Sequence, residues 1–185
     1  MAAGVARREV LYGVPFGPSN ELAAGVVDVD DVVSPPRHDE LHPAGVNVFL
    51  RERDGIRLTA ARTLSLDRDY RQLSVRRLMT MLRRVLEQQT QWMVFEPNTE
   101  SLRGDVELML ESYLRGLYRA NAFQGATESE AFFVHCDDAL NPQPVVDAGR
   151  LVAEIGVAPA EPLEFIVLRL SRDGDGTVRT EGGGA

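Results

Sequence analysis

A few short stretches hold side chains of the kind that do chemistry. "HDELH" (38–42) sets His38 and His42 four residues apart, the spacing at which one helix face offers two nitrogens to zinc. The zincin pattern needs Glu directly after the first histidine, where this chain has Asp39, and Pro35, Pro36 and Pro43 leave room for a single helical turn. "DGDGT" (173–177) looks like the start of a calcium loop but lacks the downstream glutamate and the flanking helices. His135, Cys136 and Asp137 supply the residue types of a nucleophile and base. Neighbours along a strand point to opposite faces, however, so Cys136 reads as a small core residue. In "QWMVFEPN" (91–98) an apolar run stops at Glu96. Ligands of open α/β sheets bind outside the carboxyl ends of strands, where one carboxylate serves as an acid or base. No second group converges on Glu96, and Pro97 and Asn98 read as a strand stop and a helix N-cap. The expectation is a non-enzyme with no catalytic residue, metal or cofactor. A small α/β enzyme with Glu96 at the sheet edge is the alternative.

These residues sit on a chain of 185 residues, 44% of them hydrophobic, enough to bury a core. The net charge of −8 disfavours nucleic acid as a partner. No apolar stretch approaches the roughly 20 residues of a membrane span, so no membrane insertion is expected. The N-terminus has no apolar segment of the secretory kind, and the single cysteine forms no internal disulfide, which fits assembly in the cytoplasm. Every basic residue is arginine, the side chain that makes forked contacts at protein interfaces.

The elements that position these residues follow from periodicity. Residues 1–40 read as an extended lead-in, rich in proline and carrying Asp28, Asp30 and Asp31. Residues 46–64 read as a hairpin around Asp54-Gly55. In 74–90, Val75, Leu78, Met79, Leu82, Val85 and Leu86 make one helical stripe, with Ser74 as N-cap and Arg76, Arg77, Arg83 and Arg84 off it. Residues 91–95 read as a buried strand. A helix over about 99–121 buries Leu102, Val106, Met109, Leu110, Tyr113 and Leu117 and sets Glu107 and Glu111 one turn apart on another face. Strands are expected at 131–138, 150–159 and 163–170, with a disordered tail over 172–185. The fold class is α+β: a mixed β-sheet with two main helices packed on it, plus extended N- and C-terminal arms.

The strand 163–170, "LEFIVLRL", is apolar on both faces and follows Pro159 and Pro162. At a free edge such a strand aggregates, so it calls for cover or for a second chain to pair with.

Taken in order, "HPAGVNVF" (42–49), "ARTLS" (61–65), "SVRRL" (74–78), "TQWMVFEPN" (90–98), "YLRGLYRANAFQGATESEAFFVHCD" (113–137) and "DAGRLVAEIGVAPAEPLEFIVLRL" (147–170) resemble the C-terminal domain of contractile tail sheath proteins. Such proteins build the sheaths of contractile phages, R-type bacteriocins and phage-tail-like injection systems. The resemblance implies an inner, conserved domain over 41–171, with 163–170 as its arm strand. It implies a structural subunit that polymerises by strand exchange into stacked helical rings and drives tube ejection by contraction. The implied partners are copies of the chain, an inner tube protein, and baseplate and terminator or cap proteins. The charged helix faces (Arg76, Arg77, Arg83, Arg84, Glu107, Glu111) and the arm residues Leu163, Phe165, Val167 and Arg169 are then the expected interface. A non-polymerising sheath-associated domain is a further alternative.

Overall fold

A computed structural model describes residues 22–159 and 166–183. Leu163 and Phe165, the first 21 residues of the lead-in, and the side chain of Val167 lie outside what it describes. Contacts divide the chain into two compact units, Met1–Leu78 and Met79–Ala185.

In the first unit, helix α1 (Pro35–Leu41) precedes an antiparallel hairpin of β1 (Phe49–Glu52) and β2 (Gly55–Leu58). Part of the expected lead-in is thus helical, because Pro35 and Pro36 occupy the first turn, where a missing N–H costs nothing. Glu52 pairs with Gly55, so the turn is Arg53-Asp54 and not Asp54-Gly55. Asp54 instead holds Arg57 through its carboxylate. Asn47 and Arg62 tie the segments on either side of the hairpin: Arg62 N donates to Asn47 Oδ1 at 2.7 Å, and Asn47 Nδ2 donates to Arg62 O at 2.8 Å.

Helix α2 (Leu73–Gln89) begins one residue before its expected cap and buries Val75, Leu78, Met79, Leu82 and Leu86, as the stripe predicts. The expected strand 91–95 is a 3₁₀ turn, Gln91–Phe95. Thr90 carries the chain straight on from α2, its hydroxyl bonding Leu86 O at 2.7 Å. Only Met93 of the apolar run is buried; Trp92 and Phe95 face solvent. A short apolar run has no periodicity that separates strand from helix.

Helix α3 (Glu100–Arg119) buries Leu102, Val106, Leu110, Leu114 and Leu117. It is capped by Thr99, whose Oγ1 accepts from Leu102 N at 3.2 Å, and not by Asn98. After α4 (Glu128–Ala131) come β3 (Phe132–His135), α5 (Gln143–Asp147), β4 (Leu151–Val157), β5 (Ile166–Arg172) and β6 (Val178–Gly183). The four strands form one sheet in the order β3-β4-β5-β6. The class is α+β, with every pairing antiparallel and no parallel pair among the described residues. Helix α3 packs on β3.

The core face of this sheet carries Phe132, Val134, Leu151, Ala153, Ile155, Val157, Leu168 and Leu170, all buried. Two expectations change here. The C-terminal strand is an interior strand, paired with β4 on one side and β6 on the other. The tail expected to be disordered supplies β6, whose backbone covers the edge that β5 would otherwise leave open. No helix of the described residues is long and apolar enough to cross a membrane.

Candidate functional site

The outer surface of α2 carries the arginines. Arg76 is exposed, with its guanidinium carbon 5.0 Å from the Tyr70 ring centroid, a cation–π contact. Arg77 is half-buried. Arg83 and Arg84 are exposed and form no ion pair among the described residues. They reach solvent because α2 commits its apolar stripe to burial and leaves these positions on the other side.

The 3₁₀ turn then presents two aromatics. Residues three apart eclipse in a 3₁₀ turn, so Trp92 and Phe95 share one side. Phe95 is 93% exposed and Trp92 is 47% exposed. Exposed aromatics match the composition of protein-binding hot spots. Glu96, the residue that could have marked a catalytic mouth, has an exposed side chain. Its backbone carbonyl is what the fold uses. Arg172 Nη1 donates to Glu96 O at 2.8 Å and to Met93 O, and Nη2 donates to Gly149 O at 3.2 Å. Arg172 was missed because the strand was expected to stop at Leu170. The signal was present: Leu168, Leu170 and Arg172 continue one alternation, which puts an arginine in a core-facing position.

A polar network lies beyond the turn. Asn98 Nδ2 donates to Arg150 O at 2.6 Å, and Asn98 Oδ1 accepts from Arg103 Nη1 at 2.8 Å. Arg103 also pairs with Asp138. Asn141, which is buried, bonds both backbone groups of Val152 at 2.8 Å. A cleft of about 350 Å³ opens here, lined by Glu100, Arg103, Glu107, Cys136, Asp137 and Asp138. Burial first, and then the Glu107 charge, push the Cys136 thiol up to about 12. It is therefore not a thiolate near neutral pH and not a nucleophile. His135 is exposed while Cys136 is buried, as alternation requires.

Glu111 lies 3.6 Å from Arg115, which also bonds Glu128 at 2.8 Å, so part of the acidic face of α3 is used inside the chain. On the outer face of the sheet, Arg169 pairs across strands with Glu154 at 3.1 Å, and its register partner on β6 is Glu181. Val167 lies opposite Gly156 and Gly183.

The two histidines serve local structure. His38 Nε2 and Thr59 Oγ1 are 3.0 Å apart, and the His38 and His42 rings stack with centroids 5.5 Å apart. No group of three or more potential metal ligands occurs among the described residues. Burial, with the Arg62 charge next, lowers the His42 pKa below its usual 6.5. A depressed folded-state pKa means that stability is full above about pH 6.5 and is lost as pH falls through the folded value. The urea midpoint should therefore fall between pH 7.5 and pH 5.5, and His42→Gln should flatten that slope. An unchanged slope in the variant would remove His42 as the cause.

A family model for the phage tail sheath C-terminal domain matches residues 65–171. The chain is 29% identical over 99 residues to the tail sheath protein of Vibrio phage KVP40, covering 54% of this chain and 14% of that protein. It superposes on the contracted helical sheath of the anti-feeding prophage with a TM-score of 0.80 and 32% identity, over 89% of this chain and 47% of that one. The PVC sheath complex of an extracellular contractile injection system, also contracted, gives a TM-score of 0.81 at 26% identity, over 89% of this chain and 48% of that one. The chain thus spans about half the length of these solved sheath chains. The matched segment takes in the arginine-bearing helix, the aromatic turn, α3 and the sheet through β5, and the chain belongs to the phage tail sheath C-terminal domain family.

Proposed function

We propose that this chain is the inner part of a contractile sheath subunit, a structural element and not a catalyst. It assembles in the cytoplasm with copies of itself as stacked helical rings around an inner tube, with baseplate and terminator proteins at the ends. The observation that carries the reading is the family match over 65–171, supported by the superposition on contracted sheaths. Work in such a machine comes from the free-energy difference between two packings of the same subunits, which needs no active site. Edge strands β3 and β6 are where a neighbour's strand can add, since β5 is already paired on both sides. Negative-stain electron microscopy of the native particle tests the reading. Hollow striated cylinders support it. A discrete small particle overturns polymerisation and favours a sheath-associated domain.

The arginine face of α2 is the surface proposed to grip the tube, with Glu107, Glu111 and Arg169 as secondary contacts to neighbours. Exposed charges at an interface rim set encounter and salt dependence and can release and re-form. Arg83→Glu combined with Arg84→Glu should cut cofractionation of sheath with tube by roughly tenfold at low salt. Undiminished cofractionation by a folded double variant would exclude this face.

A further inference from the structure

Arg172 is 3% exposed, yet no carboxylate lies within ion-pair distance of it among the described residues. Its charge is held by carbonyl dipoles, and burial lowers its pKa. Two of those carbonyls are Met93 O, inside the 3₁₀ turn, and Glu96 O, on the residue that caps its C-terminal end. They sit three residues apart, and Glu96 N also donates to Met93 O at 3.1 Å. One guanidinium nitrogen therefore staples the exit of the turn. A second contact comes from the same hairpin. Gly176, in the β5–β6 turn, has φ +86°, and a Cβ there would lie 2.6 Å from Val94 Cγ1. The hairpin turn is itself closed by Asp173 N to Thr177 O at 2.8 Å and Gly176 N to Asp173 O at 3.0 Å. The β5–β6 hairpin thus holds the aromatic turn at two points, one polar and one by close packing. The same turn displays Trp92 and Phe95 to solvent.

We propose that the β5–β6 hairpin is a clasp that sets the position of the exposed Trp92–Phe95 pair, so that the pairing state of the C-terminal strands and the shape of that surface are coupled. The physical reason is the weakness of the turn alone. A 3₁₀ segment has poor hydrogen-bond geometry and does not persist without outside support. With only Met93 buried, its packing supplies little of that support. Arg172 satisfies carbonyls that would otherwise turn toward water, and its planar fork spans acceptors that a lysine point charge cannot span together. Coupling of this kind is reciprocal: whatever fixes the turn also tightens the hairpin. Arg172 and Gly176 act as positioning residues for a surface that neither of them forms.

The test is hydrogen exchange on the full chain, comparing wild type with Arg172→Lys and, separately, with Gly176→Ala. Gly176→Ala leaves the arginine in place and keeps the question open to measurement if the lysine variant fails to fold. The amides of Met93 and Glu96 should exchange about tenfold faster in each variant, while the β3 and β4 amides keep their wild-type protection. Trp92 is the sole tryptophan, so its emission should shift in the same variants. The readout that a purely local role would not move is the reverse one. Val94→Ala should speed exchange at Asp173 and Gly176, about 80 residues along the chain. Unchanged exchange at Met93 and Glu96, a uniform rise that includes β4, or a hairpin insensitive to Val94→Ala would each overturn the clasp.

Discussion

Asn141→Asp is expected to destabilise the chain by about 4 kcal/mol, lowering Tm by roughly 8–16 °C, although it replaces only an NH₂ by an oxygen. Strand β3 ends at His135, opposite Glu154, so Val152 has no strand partner on that side. Asn141 takes that place. Its Oδ1 accepts from Val152 N at 2.8 Å, and its Nδ2 donates to Val152 O at 2.8 Å and to Asp137 O at 3.0 Å. An aspartate keeps the first bond and turns the other two into contacts between oxygens, one of them charged. Asp137 O keeps its bond from Asn141 N at 3.1 Å and Val152 O keeps only the long Cys136 thiol contact at 3.6 Å, so most of the cost is a buried charge set against oxygens. Burial among acceptors raises the folded-state pKa of the new carboxyl above its unfolded value near 3.9. The deficit is therefore full near pH 7 and shrinks as pH falls toward 4. Thermal unfolding at both pH values measures this, and a deficit that does not change with pH would show that charge burial is not its origin.

The second large effect is expected at Gly156. A Cβ there would lie 2.0 Å from Phe133 Cε1 and 2.4 Å from Cζ. Gly156 and Phe133 are register partners, and the Phe133 ring covers the bare backbone while stacking on His135 at 5.0 Å between centroids. An aromatic covering a cross-strand glycine keeps that stretch of strand packed. Gly156→Val forces the ring off and should cost about 3 kcal/mol, a fall in Tm of roughly 6–12 °C. The double-mutant cycle decides the cause. In a Phe133→Ala background the same substitution should cost less than half as much, because the clash is gone. Additive effects would locate the cost in the β4 backbone instead.

The stripe of α2 was legible in the sequence because a long amphipathic pattern has one consistent solution: Val75, Leu78, Met79, Leu82 and Leu86 are all buried. The second helix was legible for the same reason, apart from Leu114, which is fully buried and was passed over for the less buried Tyr113. Strand β4 followed from strict alternation over Leu151, Ala153, Ile155 and Val157. The aromatic turn was misread because Trp92, Met93, Val94 and Phe95 are apolar whichever way they point. Only the tertiary setting decides that Met93 goes in and Phe95 stays out. The C-terminal tail was misread because Gly174, Asp175 and Gly176 look like a disordered segment and are in fact the turn of a hairpin. Their composition is the same in both cases, and a strand's worth of pairing partners makes the difference.

By itself, then, the sequence determined what depends on local periodicity and on ordered motifs: an α+β chain, two main helices, and membership of a sheath family now matched over 65–171. Only the tertiary structure decided what depends on partners distant in sequence. It made β5 an interior strand, gave Val152 a side chain for a neighbour, and made the backbone of Glu96, not its carboxylate, the group that matters. The physical reason is that hydrogen-bond satisfaction is settled across the whole fold. A buried donor such as Arg172 is directed by whichever carbonyls the chain brings to it, and no local pattern records which those will be.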